Sequence, residues 1–97
     1  MLQLSMIISF RHKGLETLYK TASTRGVQAA HAPKVCRILA ALDAASSPRD
    51  LNHPGYKLHP LSGALQDHWS IWVNGNWRIT FRFVGADVEL VDYQDYH

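Results

Sequence analysis

Apolar residues recur at two different intervals along this 97-residue chain, and the interval changes near Tyr56. Upstream the spacing is helical. In HKGLETLYKTAS, Leu15, Leu18 and Tyr19 return at intervals of three and four, which predicts a helix over residues 12–23, ended near Arg25-Gly26. Val35, Ile38, Leu39 and Leu42 draw one stripe through HAPKVCRILAALDAASS and predict a second helix, with Pro33 tolerated in its first turn and Ser46-Ser47-Pro48 closing it. Ahead of both, MIISF (6–10) is short, β-branched and aromatic, the makeup of a strand. PRDLNHPG (48–55) is dense in turn residues and reads as a connection with one helical turn at its start.

From Tyr56 onward the period is two. YKLHPL, HWSIWV, NWRITFRFV and ADVELVDY predict four strands, separated by SGALQD, by an Asn74-Gly75 turn and by Gly85-Ala86, links short enough to imply an antiparallel meander. In the third strand Trp77, Ile79, Phe81 and Phe83 point one way while Arg78, Thr80 and Arg82 point the other, and Trp69, Ile71 and Val73 repeat the apolar side one strand earlier. The helical stripes must be covered, and the apolar sheet face is the only surface large enough. The expected fold is therefore α+β: an N-terminal strand and two helices packed on one face of an antiparallel sheet of four to five strands, within one domain spanning 1–97.

Parity also lists what the other face carries. Lys57 and His59 alternate away from Tyr56 and Leu58, Arg78, Thr80 and Arg82 share the polar side of their strand, and His68, Ser70 and Trp72 fall opposite the apolar set of theirs. An open face with cations, imidazoles and one exposed ring suits RNA, because phosphates need Arg or Lys and an unstacked base needs a π surface. The opposing reading is an ordinary solvated face, on which Arg82 does no more than pair across the strands with Glu89.

Composition narrows the class without choosing between these readings. The chain is 46% apolar and 19% charged, as a globular protein is, and a lone Cys36 forms no internal disulfide; it is expected as a small buried residue of the second helix. No apolar run approaches the ~20 residues of a membrane span, and MLQLSMIISF lacks a basic n-region and a small-residue cleavage site, so a cytoplasmic protein without membrane partners is expected. The net charge of +2 conceals an asymmetry. Residues 1–82 carry ten bases against four acids, +6, whereas residues 83–97 carry four acids and no base, −4. A cationic body suits a polyanionic partner, though a solvated surface explains it equally well, and the acidic end either lies against that body or closes off one edge of it.

The acidic end finishes on VDYQDYH (91–97), which by composition is either a solvated tail or half of an acid–base site. Cleaving RNA by attack of its own 2′-hydroxyl needs no protein nucleophile. It needs a base at the 2′-oxygen, an acid at the 5′-leaving oxygen and cations for the phosphorane charge, roles that histidine and arginine fit. His59, Arg78, Asp95, Tyr96 and His97 complete such a set if the C-terminal segment folds back beside the strand that holds His59. The sequence has no Cys/His cluster of zinc spacing, Gly-rich phosphate loop or serine triad, and no metal or cofactor is expected.

Taken together, YKLHPLSG, HWSIWVNGNWRITFRF and VDYQDYH resemble the HigB toxins, the plasmid-maintenance killer branch of the RelE-like bacterial toxins. The resemblance runs from MIISFRHKGLETLY through His97, with MLQLS as an extra leader and Met6 as an alternative start. It implies a RelE-like α+β fold that presents a concave face to RNA, and a ribosome-dependent, metal-independent endoribonuclease that cuts messenger RNA in the decoding site. It also implies a HigA-like helix-turn-helix antitoxin as partner, through which alone the protein meets operator DNA.

Carried over residue by residue, the family's active site falls on His59, Arg78, Asp95, Tyr96 and His97. His59 and His97 are expected to share proton transfer, Arg78 to stabilise the phosphorane, and Asp95 and Tyr96 to orient the RNA or the imidazoles. A terminal carboxylate beside the His97 ring favours imidazolium and an acid role. Lys57, Trp72, Arg82 and Lys13 are the expected RNA contacts, although the first helix, with Arg11, Lys13 and Lys20, suits an acidic antitoxin surface equally well. One departure is Ser62-Gly63-Ala64, where relatives are often basic. The same scaffold also supports toxins that bind and inhibit DNA gyrase; keeping both imidazoles argues against that alternative.

Overall fold

The computed structural model describes residues 6–96; the leader and His97 lie outside them. His12 opens α1 (Lys13–Thr21), its Nδ1 accepting the Leu15 N–H at 3.1 Å where a serine or aspartate more often caps a helix. Ala22, left-handed at φ 63°, closes it, while Glu16 in the first turn and Lys20 in the last complement the helix dipole. The loop after α1 crosses the helix start at backbone distance. A Cβ on Gly14 would lie 2.6 Å from the Gly26 carbonyl oxygen, so the crossing needs glycine. α2 (Ala32–Ala44) carries Pro33 in its first turn and buries Val35, Ile38, Leu39 and Leu42, the stripe its spacing predicts. Cys36 departs from expectation: it is exposed, standing about 100° round the helix from Val35.

Single 3-10 turns at Pro48–Leu51 and Pro54–Tyr56 lead into the meander of β1 (His59–Pro60), β2 (His68–Asn74), β3 (Trp77–Val84) and β4 (Asp87–Asp95), which lie in that order as an antiparallel sheet. The β2–β3 turn falls on Gly75 (φ 55°) and Asn76, one residue later than Asn74-Gly75. Only two residues of YKLHPL form strand. The 3-10 turn and a left-handed Lys57 (φ 48°) precede them, and Pro60 has no N–H to offer a ladder. Parity nevertheless survives there, since Tyr56 and Leu58 pack on the core while Lys57 and His59 are exposed. MIISF likewise makes no regular strand. It meets the outer edge of β4 through two isolated parallel bridges, Ile7 to Val88 and Phe10 to Val91.

A bulge in β4 interrupts that edge. Thr80 faces Asp92 but Arg82 faces Glu89, so Leu90 and Val91 together oppose Phe81, with Leu90 at φ 57° and its N–H bonded to Ser9 Oγ at 2.9 Å. The extra residue inverts the alternation: Val88 packs into the core before it, Val91 and Tyr93 after it. Asp92, Gln94 and, by the same alternation, Tyr96 therefore belong to the open side of the sheet. The core joins Ile71, Val73, Ile79 and Phe81 of the sheet to Leu15 and Leu18 of α1, to the α2 stripe, and to Ile7 and Leu51. Each such side chain contributes about 1.5–3 kcal/mol on burial, which holds both helices to one face and leaves the other open. Among the described residues no helix is long and apolar enough to cross a membrane.

Candidate active site

Strand register sorts the open face into rows, because directly opposed residues point the same way. His59, Ser70, Thr80 and Asp92 make one row across all four strands; Trp72, Arg78 and Gln94 make the next; His68, Arg82 and Glu89 lie on the other side of Thr80. His59 and Arg78 thus share a face, two strands and two residues apart, or roughly 12 Å between Cα atoms. The expectation that His68, Ser70 and Thr80 meet solvent fails. Ser70 and Thr80 are 3% and 1% exposed although they lie on the open side, because they are short and stand among longer side chains. Gln94 adds to their cover, its Nε2 donating to Thr80 Oγ1 at 2.8 Å. His68 is buried too, with Nδ1 3.3 Å from the Gln66 carbonyl oxygen and, among the described residues, no partner for Nε2.

Trp72 is half-buried rather than a bare ring. Its indole N–H donates to the Gly75 carbonyl at 2.9 Å, and the Nζ atoms of Lys57 and Lys34 lie 4.2 and 4.3 Å from the ring centroid. Lys57 arrives from the strained left-handed position before β1; Lys34 arrives from α2, anchored by a 2.9 Å hydrogen bond to the Gly55 carbonyl. Burial, with Arg37 and Lys57 adding repulsion, holds the Lys34 ammonium below the usual lysine range. Arg78 makes only long contacts to the Gly75 and Trp77 carbonyls, at 3.4 and 3.5 Å, and no carboxylate lies within ion-pair distance of it among the described residues. Arg82 is placed differently. Its Nε donates to Glu89 Oε2 at 2.8 Å and its Nη2 contacts the same oxygen, so the cross-strand pair weighed against RNA binding is the one formed.

The end of β4 is anchored from below. Tyr93, its phenol held above the usual range by burial, bonds His31 Nδ1 at 2.5 Å and stacks on Trp77 at 4.5 Å between ring centroids. Past this anchor Asp95 pairs with Trp77 and falls by alternation on the helix side, whereas Tyr96, its N–H bonded to the Asn76 carbonyl at 2.8 Å, falls on the side of Gln94 and Arg78. His97 lies outside the described residues. Lys13 begins α1 on the helix side of the sheet, not on the face of His59 and Arg78. Sequence reasoning missed Gln94, because unbroken alternation from Val88 puts it on the core side, and Lys34, for which the helical pattern gives no sign.

The arrangement offers an exposed imidazole and, among the described residues, a guanidinium with no carboxylate partner beside a shallow floor of two small hydroxyl side chains, with the Tyr96 phenol falling on that side by alternation. That set can transfer a proton and hold a phosphate. A family model described as a RelE-like toxin of type II toxin–antitoxin system HigB matches residues 8–97. A curated relative, endoribonuclease HigB of Proteus vulgaris, is 46% identical over 92 residues, which cover 95% of this chain and all of that protein.

Proposed function

The chain belongs to the RelE-like toxins of the type II toxin–antitoxin system HigB, and from that premise we propose that it arrests translation by cutting messenger RNA on the ribosome through the face bearing His59 and Arg78. It is an endoribonuclease toxin, and an antitoxin is its partner. In the proposed reaction one imidazole, His59 or His97, takes the proton of the 2′-hydroxyl as that oxygen attacks the adjacent phosphorus. The 5′-oxygen leaves with a proton from the other, and the products are a 2′,3′-cyclic phosphate and a 5′-hydroxyl end. Arg78 neutralises the phosphorane, its fork meeting two oxygens at once. Tyr96 orients the RNA from beside Arg78, and Asp95 positions the terminal segment that carries His97.

Register is the observation that carries this reading: His59 and Arg78 share the open face, Tyr96 falls on it by alternation, and Arg78 has no carboxylate partner among the described residues. An endoribonuclease relative at 46% identity speaks against the gyrase-binding alternative. The antitoxin is proposed to be a HigA-like helix-turn-helix protein that alone contacts operator DNA, and the site of action the cytoplasm. Cleavage of a messenger on purified translating ribosomes tests the chemistry. His59→Ala and Arg78→Ala are each expected to slow it by about 10²–10³ with an unchanged unfolding midpoint. Full cleavage by both variants would overturn the assignment.

A further inference from the structure

Lys34 and Lys57 meet at Trp72, with Arg37 close enough to Lys34 to add repulsion, and no carboxylate lies in ion-pair distance of the three among the described residues. Both lysine Nζ atoms lie against one ring, and Arg37 stands three residues on from Lys34, on the same flank of α2. The ring quadrupole offsets part of the repulsion between these charges, but a π face is a weak substitute for an anion. Lys57 closes the 3-10 turn Pro54–Tyr56 in a left-handed backbone conformation, which sets where its side chain starts. Lys34 uses one of its three N–H donors on Gly55. Trp72, pinned by its indole N–H to the β2–β3 turn, opens the row that continues through Arg78 and Gln94.

We propose that Lys34 and Lys57 at Trp72, with Arg37 beside Lys34, form a subsite for one backbone phosphate of single-stranded RNA, next along the chain from the phosphate that Arg78 meets. The proposal rests on reading the protein as a ribonuclease and extends that reading to α2, where sequence pattern shows only a solvated helix face. A row of cations continued by Arg78 suits a linear polyanion better than a single carboxylate. The ring serves as a rest for ammonium groups, so the subsite holds the strand without reading its bases.

Binding of the full chain to a 2′-O-methyl RNA oligonucleotide, which lacks the attacking hydroxyl, tests this across a salt titration. Lys34→Gln is expected to weaken binding about tenfold and to reduce the slope of log K against log salt by about 0.7. Lys34→Gln with Lys57→Gln should weaken it about a hundredfold, Lys34→Arg should restore most of the affinity, and Lys20→Gln, on α1, should change neither quantity. Unchanged affinity and slope in Lys34→Gln, or loss of antitoxin binding with RNA binding intact, would overturn the subsite. The two readings fail separately. A wild-type chain that binds the oligonucleotide through Lys34 but cuts no messenger keeps the subsite and loses the activity, whereas messenger cleavage and oligonucleotide binding that both ignore Lys34 keep the activity and lose the subsite.

Discussion

Arg78 and Arg82 stand on one strand and one face, two residues to either side of Thr80, and the fold treats them oppositely. Arg82 opposes Glu89 and is bonded to it; Arg78 opposes Gln94, which turns to Thr80 instead. The residue type is the same and so is the parity. What gives one guanidinium a carboxylate partner and leaves the other with none among the described residues is the single residue across the ladder, an acid in one case and an amide in the other. The β4 bulge marks the division, since the register shift at Leu90 lies between the two pairs. At the acidic pole of the face the cation is paired, and at the pole shared by Trp72 and Lys57 it has no carboxylate partner among the described residues.

Shifting the β4 register by one residue should erase the division, whereas deleting the extra Leu90 would leave every later pair in place. An alanine inserted after Val91 slides the end of β4 along β3, turns Gln94 toward the helices and swings Tyr93 away from His31. Cleavage should fall at least about 10²-fold, and stability to urea by about 3–5 kcal/mol, the cost of vacating a large aromatic site. Normal cleavage with normal stability would mean that the β4 register has no part in arranging the face. A smaller effect sharpens the same comparison. Glu89→Gln makes the partner of Arg82 resemble that of Arg78, so RNA binding should strengthen severalfold and its salt slope steepen by about 0.7, while stability shifts by at most about 1 kcal/mol. An unaltered slope would show that Arg82 is silent for a reason other than its pair.

The smallest effect concerns a contact outside both poles. Tyr19 donates to Asp43 at 2.6 Å, and that hydrogen bond, helped by burial and the Asp43 charge, pushes the phenol up to about 12. Because the folded-state value is raised, the contact contributes fully below the ordinary value near 10 and is lost as pH climbs from there through about 12. Tyr93, also raised, adds a loss in the same direction. Tyr19→Phe should therefore flatten part of the alkaline fall in stability, measured by urea midpoints from pH 9 to 11, and leave the salt slope of RNA binding untouched. A changed slope would tie α1 to the RNA face after all.

Much of this was legible before folding was considered. The α2 stripe, the clean alternation of β3 and the Gly85-Ala86 turn all appear where periodicity puts them, because each depends on near neighbours in the chain. His59 and Arg78 were readable as companions from parity alone. Cys36, His68, Ser70 and Thr80 were misjudged because burial there depends on what stands beside them: Cys36 emerges at the edge of its helix face, and short side chains sink among tall ones. The bulge at Leu90 carries no glycine or proline to announce it, and it reversed the outlook of everything after it.

By itself, then, the sequence determined the elements, the face each strand turns to the core and the kinds of side chain left for chemistry, since hydrophobic period is a local property. Tertiary structure alone decided which cations are neutralised, that Lys34 leans over Trp72, and that Gln94 rather than Asp95 opposes Arg78. Those outcomes hang on pairings between residues far apart in the chain, where one inserted residue or one opposing amide changes the answer and no period records it.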